Sequence, residues 1–199
     1  MSRNFGLTLL AGSIALLGAA PAFAASTPSP RLFAAGSAME TCATAARNAE
    51  VKNTATDSDL AACTMAVRMP DTTQSNLAAA YANRGVLHLV RAEYEDSIAD
   101  SNAALLADGG LPEAVVNRGV ALLLEHRPID AAADFTRALG MDPAHRERVY
   151  FNRAMAREDM GDLKGAYADY RQASELNPQW DRPKQELARF TVRPAKPLS

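Results

Sequence analysis

The chain has 199 residues, of which 48% are hydrophobic and 22% charged, and its formal net charge at pH 7 is −2. This composition is ordinary for one modest globular domain. It excludes the basic surface that nucleic-acid binding requires. Basic and acidic residues alternate without forming blocks, so a polybasic membrane-surface patch is not expected either.

Residues 1–24 have the pattern of a signal peptide. Arg3 supplies the positive start, residues 7–20 are apolar and free of charge, and Ala22-Phe23-Ala24 is a small-x-small cleavage pattern. The apolar run is shorter than the roughly 20 residues of a membrane-spanning helix, so a stable membrane anchor is not expected. We therefore expect cleavage between Ala24 and Ala25 and a periplasmic or secreted product.

The next two segments are a predicted flexible linker, residues 25–36, and a predicted helical hairpin, residues 37–70. The hairpin carries the only two cysteines, Cys42 and Cys63, one on each predicted helix. In an oxidising compartment such a pair is most often a structural disulfide. Because the chain has no Cys-x-x-Cys, a redox-active pair is the weaker alternative.

From residue 76 onward the chain repeats itself. Asn-Arg-Gly at 83–85 recurs at 117–119, and Asn-Arg-Ala follows at 152–154, so the period is 34 or 35 residues. A period of this length predicts stacked helix pairs, each too small to bury its own apolar face. The predicted units are three repeats at 76–110, 111–144 and 145–178, a capping helix at 179–190 and a disordered tail at 191–199.

These units resemble the tetratricopeptide repeat family. The large residue of the family pattern is found at Tyr81, Val115 and Tyr150, and its small helix-contact residue at Gly85, Gly119 and Ala154. The later small-then-aromatic pair is found at Ala131/Phe135 and Ala166/Tyr170, and the closing proline at Pro143 and Pro178. The pattern's Leu is Arg in all three units. The resemblance implies an all-α solenoid of antiparallel helix pairs that binds proteins or peptides without catalysis.

Each unit also carries an arginine and an aspartate that are 16 residues apart, with the arginine on the first helix and the aspartate on the second. Two antiparallel helices joined by a short turn bring such positions together, so we expect a ladder of Arg–carboxylate pairs. Each arginine has its own aspartate, which favours structural pairing over a row of anion-binding sites. The pairs are Arg84/Asp100, Arg118/Asp134 and Arg153/Asp169.

The predicted binding surface is an apolar stripe on the first helices, which in the family line a concave face. A helix that is apolar nearly all round is normally buried. An apolar partner segment, the protein's own hairpin or C-terminal helix, or a second copy should therefore cover the stripe. No Lys accompanies the recurrent Asn on these helices, which disfavours recognition of an acidic chain terminus. We call this surface the first-helix stripe; its residues are Ala82, Val86, Leu89, Val90, Val116, Val120, Leu123, Phe151 and Met155.

No motif in the chain indicates catalysis. The three histidines lack metal-ligand spacing, and there is no H-E-x-x-H, G-x-S-x-G, P-loop or G-x-G-x-x-G. We therefore expect no catalytic residue, metal site or cofactor. The leading hypothesis is a non-catalytic scaffold or adaptor of the cell envelope, with a protein or peptide partner. Two alternatives stay open, an enzyme that uses the cysteine-containing hairpin and a self-associating structural subunit, which would be a homo-oligomer.

Overall fold

The computed structural model describes residues 30–190, with side chains from residue 38 onward, and every regular element in that part is an α-helix. The predicted leader, the first residues of the linker and the tail lie outside the described residues. The predicted all-α solenoid of helix pairs is confirmed. The helices are α1 (Pro30–Lys52), α2 (Asp57–Val67), α3 (Gln74–Val90), α4 (Tyr94–Ala107), α5 (Pro112–Leu124), α6 (Pro128–Gly140), α7 (Arg146–Asp159), α8 (Leu163–Leu176) and α9 (Asp181–Leu187).

Local chemistry explains where the repeat helices begin. Helices α5 and α6 have proline in the first turn, where the missing N–H would have no intrahelical partner. The Thr73 hydroxyl accepts a hydrogen bond from the backbone N–H of Asn76 at the start of α3, over 3.2 Å. Asp162 caps α8 in the same way through the N–H of Gly165, over 2.9 Å.

Helix α1 begins at Pro30, earlier than the sequence pattern predicts. The prolines and glycine of segment 25–36 predict a linker, whereas residues 30–36 of that segment are helical. A proline at the first helical position is tolerated, since its fixed φ suits the helix and its missing N–H is not needed there.

The α1–α2 hairpin packs on α3 as a further helix pair, although it lacks the repeat motif. Cys42 and Cys63 form a disulfide between α1 and α2, with 4.5 Å between their Cα atoms. Both cysteines are fully buried and belong to one apolar cluster with Ala80 and Leu87 of α3. The hairpin therefore covers the first repeat in the way that one repeat covers the next.

Two further clusters lie in the middle and at the C-terminal end of the stack, and a small one joins Ala82, Ala104 and Ala114. The middle repeat is organised around Phe135, Val116 and Val120, with Val149 of the third repeat packed against them. The C-terminal cluster is aromatic: Phe151 lies edge-on to Tyr170, with 5.2 Å between ring centroids, and 4.8 Å from Trp180. Helix α9 and its flanking residues therefore close the C-terminal end of the stack, because Trp180, Leu187 and Phe190 pack against this cluster.

Equivalent glycines in two repeats predict opposite effects on stability. A Cβ at Gly119 would lie 2.8 Å from the Phe135 ring, whereas a Cβ at Gly85 would lie 3.5 Å from its nearest neighbour, the Ser97 carbonyl oxygen. We expect Gly119→Ala to lower the free energy of unfolding by about 1–3 kcal/mol, because the buried ring must shift. Gly85→Ala should leave it unchanged or raise it by about 0.5–1 kcal/mol, through better helix propensity. Urea unfolding of both variants tests this, and equal effects would contradict it.

Candidate binding surface

The first-helix stripe runs along α3, α5 and α7, and neighbouring first helices contact one another beside it. Leu89 of α3 and Val120 of α5 belong to one buried cluster with Val149 of α7. The side-chain amide of Asn117 donates a hydrogen bond to the backbone carbonyl of Ala82 on the preceding first helix, over 3.4 Å. Five of the nine stripe residues thus share one apolar cluster that spans the three first helices: Leu89, Val116, Val120, Leu123 and Met155.

Most of the stripe is buried. Seven of its nine side chains are buried, and Val120 at its centre is 1% exposed; only Val90 and Met155 are half-buried. Val90 packs against the hairpin cluster. At the other end, Trp180 and the guanidinium of Arg182 lie on Phe151, the latter 5.3 Å from the ring centroid. The protein's own hairpin and C-terminal segment thus lie against the two ends of the stripe, and its centre offers a partner little area.

The more accessible part of this face lies at the C-terminal ends of the first helices. Leu124 and Met155 are half-buried and pack against the same cluster as Val120. Beside them lie two carboxylates, Glu125 and Asp159, which we call the acidic margin. Burial raises the pKa of Asp159, and the nearby His126 opposes that shift. The partial negative charge of helix C-termini adds to the margin, so this region favours positively charged groups.

Glu50 is a half-buried acid that sequence reasoning missed. Its Oε1 is buried without a hydrogen-bond partner. Burial raises the pKa of the Glu50 carboxyl to about 7, and the opposing influence comes from Arg148 on α7. The end of the hairpin's first helix is thus electrostatically coupled to the third repeat. No local pattern could reveal this, because Glu50 and Arg148 are distant in sequence.

Glu50 predicts a pH-dependent stability. Its folded-state pKa lies above the usual value of 4.5, so the folded state binds more protons and the stability falls as the pH rises from about 4.5 to about 7. We expect Glu50→Gln to raise the free energy of unfolding by on the order of 2 kcal/mol at pH 8 and by much less at pH 5. Urea unfolding of the variant and of the wild-type protein at the two pH values measures this gap in the free energy of unfolding. Glu40→Gln, an exposed change on the same helix, is the control, and a gap independent of pH would contradict the assignment.

The three Arg–Asp pairs are present as two-pronged hydrogen-bonded ion pairs. In each pair Nε and Nη2 of the arginine donate to the two carboxylate oxygens, over 2.7–2.8 Å. All three aspartates are buried. Hydrogen bonding to Asp134 raises the pKa of Arg118, as expected for a charge-assisted, two-pronged pair.

Each of these arginines also binds the preceding helix pair. Its remaining nitrogen, Nη1, donates to a side-chain oxygen on the preceding second helix: Thr64 at 3.3 Å, Asn102 at 2.8 Å and Thr136 at 3.1 Å, respectively. One guanidinium therefore joins three helices. The donors are used within the protein, which favours a structural role for the ladder over anion binding.

Three residues near the α3–α4 turn, His88, Glu93 and Asp96, have potential metal-ligand atoms within 4.8 Å of one another. Nδ1 of His88 lies 2.7 Å from Oε2 of Glu93. Arg91 Nε donates to the other oxygen of Glu93 over 2.8 Å. These bonds tie His88 and Arg91 to Glu93 and thereby hold the turn together.

None of the helices between residues 30 and 190 is both long and apolar enough to cross a membrane. This finding concerns the described residues alone, and the predicted leader precedes them.

Comparison with known proteins agrees with this fold. Residues 147–179, the third repeat, match the family model of the tetratricopeptide repeat. No curated protein matches the chain in sequence.

Three solved structures are similar at 23–24% identity, which establishes the fold: a solenoid of tetratricopeptide repeats. The Arabidopsis OM64 TPR domain has 24% identity and a TM-score of 0.56, over 58% of this chain and 95% of that one. The first TPR of Spaghetti (RPAP3), bound to the HSP90 peptide SRMEEVD, has 23% identity and a TM-score of 0.55, over 60% and 94%. The first TPR domain of human RPAP3 has 23% identity and a TM-score of 0.53, over 56% and 87%.

Proposed function

We propose that this protein is a non-catalytic scaffold of the cell envelope that binds a protein or peptide partner at the first-helix stripe and its acidic margin. The observation that carries the proposal is the continuity of one apolar face over three successive first helices, with carboxylates where those helices end. Solenoids present extended surfaces of this kind to partners. One of the similar structures was solved with a bound peptide, which supports this class of function.

The chemistry of the face defines the partner. Leu124 and Met155 offer apolar contact, and Glu125 and Asp159 offer negative charge at the same helix ends. A segment with apolar side chains and a lysine or arginine at one end would satisfy both. Such a segment would bind first at the margin, and it would reach Val120 only by displacing the groups that bury it.

The predicted leader supports export, and so does the disulfide, which is typical of an oxidising compartment. We propose that the mature protein begins at Ala25 and acts in the periplasm or outside the cell. N-terminal sequencing of the protein recovered from the producing cells tests this, and a chain that retains residues 1–24 would contradict it.

Site-specific photo-crosslinking tests the binding face. A photoreactive amino acid at Met155 should crosslink to a second polypeptide in the cells that make the protein, and one at Leu106 should not. Leu106 lies on a second helix and is 90% exposed, so it controls for random encounters. If the probe at Met155 reacts only within its own chain, the face is not a partner site. Asp159→Lys should then reduce the crosslinked product, since it reverses the charge of the margin.

A further inference from the structure

The tail, residues 191–199, has a three-residue period in its sequence. It reads Thr-Val-Arg, Pro-Ala-Lys, Pro-Leu-Ser, so the second position of each triplet is apolar and the third is basic in the first two. Proline and the residue before it favour the polyproline II conformation, which has three residues per turn. In that conformation the segment would carry two adjacent rows, an apolar row of Val192, Ala195 and Leu198 and a basic row of Arg193 and Lys196.

The tail begins beside the acidic margin. Phe190, the residue before it, packs against the C-terminal cluster, and so does Met155 of the first-helix stripe. Arg189 Nη2 lies 3.3 Å from Glu158 Oε1, and Glu158 precedes Asp159 of the margin. The chain therefore leaves its last described residue near the end of α7.

The tail is long enough to cross from α7 to α5. The axes of packed helices lie about 8–10 Å apart, whereas the nine residues 191–199 would span about 28 Å in the polyproline II conformation. Residues three apart on one row are then separated by about 9 Å. That separation suits the two carboxylates of the margin, because Asp159 is the last residue of α7 and Glu125 directly follows α5. Both basic residues of the tail can therefore meet a carboxylate at the same time.

The acidic margin has negative charge available for these cations. The two arginines that flank it in sequence, Arg127 and Arg157, form ion pairs with other carboxylates. The C-terminal ends of α5 and α7 add partial negative charge at the same place. The half-buried side chains beside the margin, Leu124 and Met155, offer contact to the apolar row. The two rows of the tail thus match the two kinds of surface.

We propose that the tail docks on the acidic margin of its own chain as an extended segment. Arg193 then meets the carboxylate of Asp159. Lys196 meets that of Glu125, and the apolar row lies on the half-buried side chains beside them. The two prolines fix φ, so the tail loses less conformational freedom when it docks. The docked tail would compete with a partner segment, and only this consequence rests on the function proposed above.

Paramagnetic NMR of the purified protein tests the docking. A spin label on Ser199→Cys has a single site of attachment, because both native cysteines are joined in the disulfide. The docked tail places this label one triplet beyond Lys196, so it should broaden the amide signals around Glu125. Helix α4 runs back from that edge for 14 residues, which is about 20 Å. The amide signals around Leu106 at its far end should therefore keep their intensity.

Charge reversal shows whether the docking has the proposed chemistry. Arg193→Glu combined with Lys196→Glu should reduce the relaxation enhancement at Glu125 about threefold or more. Both substitutions follow the last helix, so the fold should be unaffected. Arg171→Glu, the same reversal at an exposed arginine of α8, should leave the enhancement unchanged. Asp159→Lys combined with Arg193→Glu exchanges the charges of one pair and should restore most of the enhancement that Arg193→Glu removes.

Three outcomes would overturn the docking. The enhancement at Glu125 is absent, or it survives the double charge reversal, or it arises between copies. A mixture of spin-labelled protein with unlabelled, nitrogen-15-enriched protein detects the last case, in which the tail binds a second copy.

Deletion of residues 191–199 tests the competition. It should raise the crosslinking of Met155 to a partner about threefold or more, and equal crosslinking by the intact and the truncated chain would refute the competition. The two proposals fail separately. If the tail docks and neither chain captures a partner, the proposed function is wrong and the docking stands. If a partner is captured and no enhancement is seen at Glu125, the docking alone is wrong.

Discussion

Arg118→Met is expected to lower the free energy of unfolding by about 2–4 kcal/mol, because it leaves a buried carboxylate without a cation. Asp134 is 10% exposed at its side chain, and Arg118 forms its ion pair over 2.7 Å. The guanidinium itself is partly exposed, which places the expected cost at the lower end of the range for buried pairs. The same substitution also removes the hydrogen bond to Asn102, which joins the second repeat to the first.

The equivalent arginines should matter less, and this rank order makes the prediction specific. After Arg153→Met, Asp169 would still form an ion pair with Arg157, whose Nη1 lies 2.9 Å from its carboxylate. After the corresponding change at Arg84, Asp100 would keep His88, whose Nε2 lies 3.6 Å from it and which replaces the lost positive charge only when the imidazole is protonated. Urea unfolding of the three single variants at one pH compares them.

A double variant provides the matched control. Arg118→Met combined with Asp134→Leu removes both charges, so part of the lost stability should return. If the losses in the free energy of unfolding of the two single variants simply add in the double variant, the unpaired buried charge is not the cause of the loss. Equal costs for the three single variants would contradict the role assigned to Arg157 and His88.

The second large effect is expected from the disulfide. Replacing Cys42 and Cys63 together with alanine should lower the free energy of unfolding by about 3 kcal/mol, since the bond closes a loop with a sequence separation of 21. The hairpin should loosen first, because the two cysteines form the centre of the cluster that it shares with α3. Hydrogen exchange would detect this as faster exchange in α1 and α2 than in α5 and α6.

The controls for this prediction use chemistry as well as mutation. Met65→Ala, on the exposed side of α2, should leave the stability unchanged, and reduction of the native protein should reproduce the double variant. The native protein should show no reactive thiol, and the denatured, reduced protein two. Two reactive thiols in the native protein would contradict the disulfide and favour the redox alternative.

The sequence was a good guide to the helix pairs and a poor guide to what they bury. The period of 34 or 35 residues and the prolines at helix starts are local signals, and the six helices from α3 to α8 follow them. The hairpin gave no repeat signal, yet it packs on α3 as a repeat would and binds Arg84 through Thr64. That contact depends on the shape of its surface, which the family motif does not describe.

The sequence by itself determined the units of this protein: antiparallel helix pairs, the spacing that joins each arginine to its aspartate, and one cysteine on each helix of the hairpin. Each of these follows from residues within one pair. Only the tertiary structure decided that Val120 lies in the core and that one carboxylate oxygen of Glu50 is buried. It also decided that Gly119 meets an aromatic ring while Gly85 does not, and that Leu163 is exposed. The physical reason is that burial is set by contacts between pairs, and residues that are equivalent in the repeat have different neighbours along the stack.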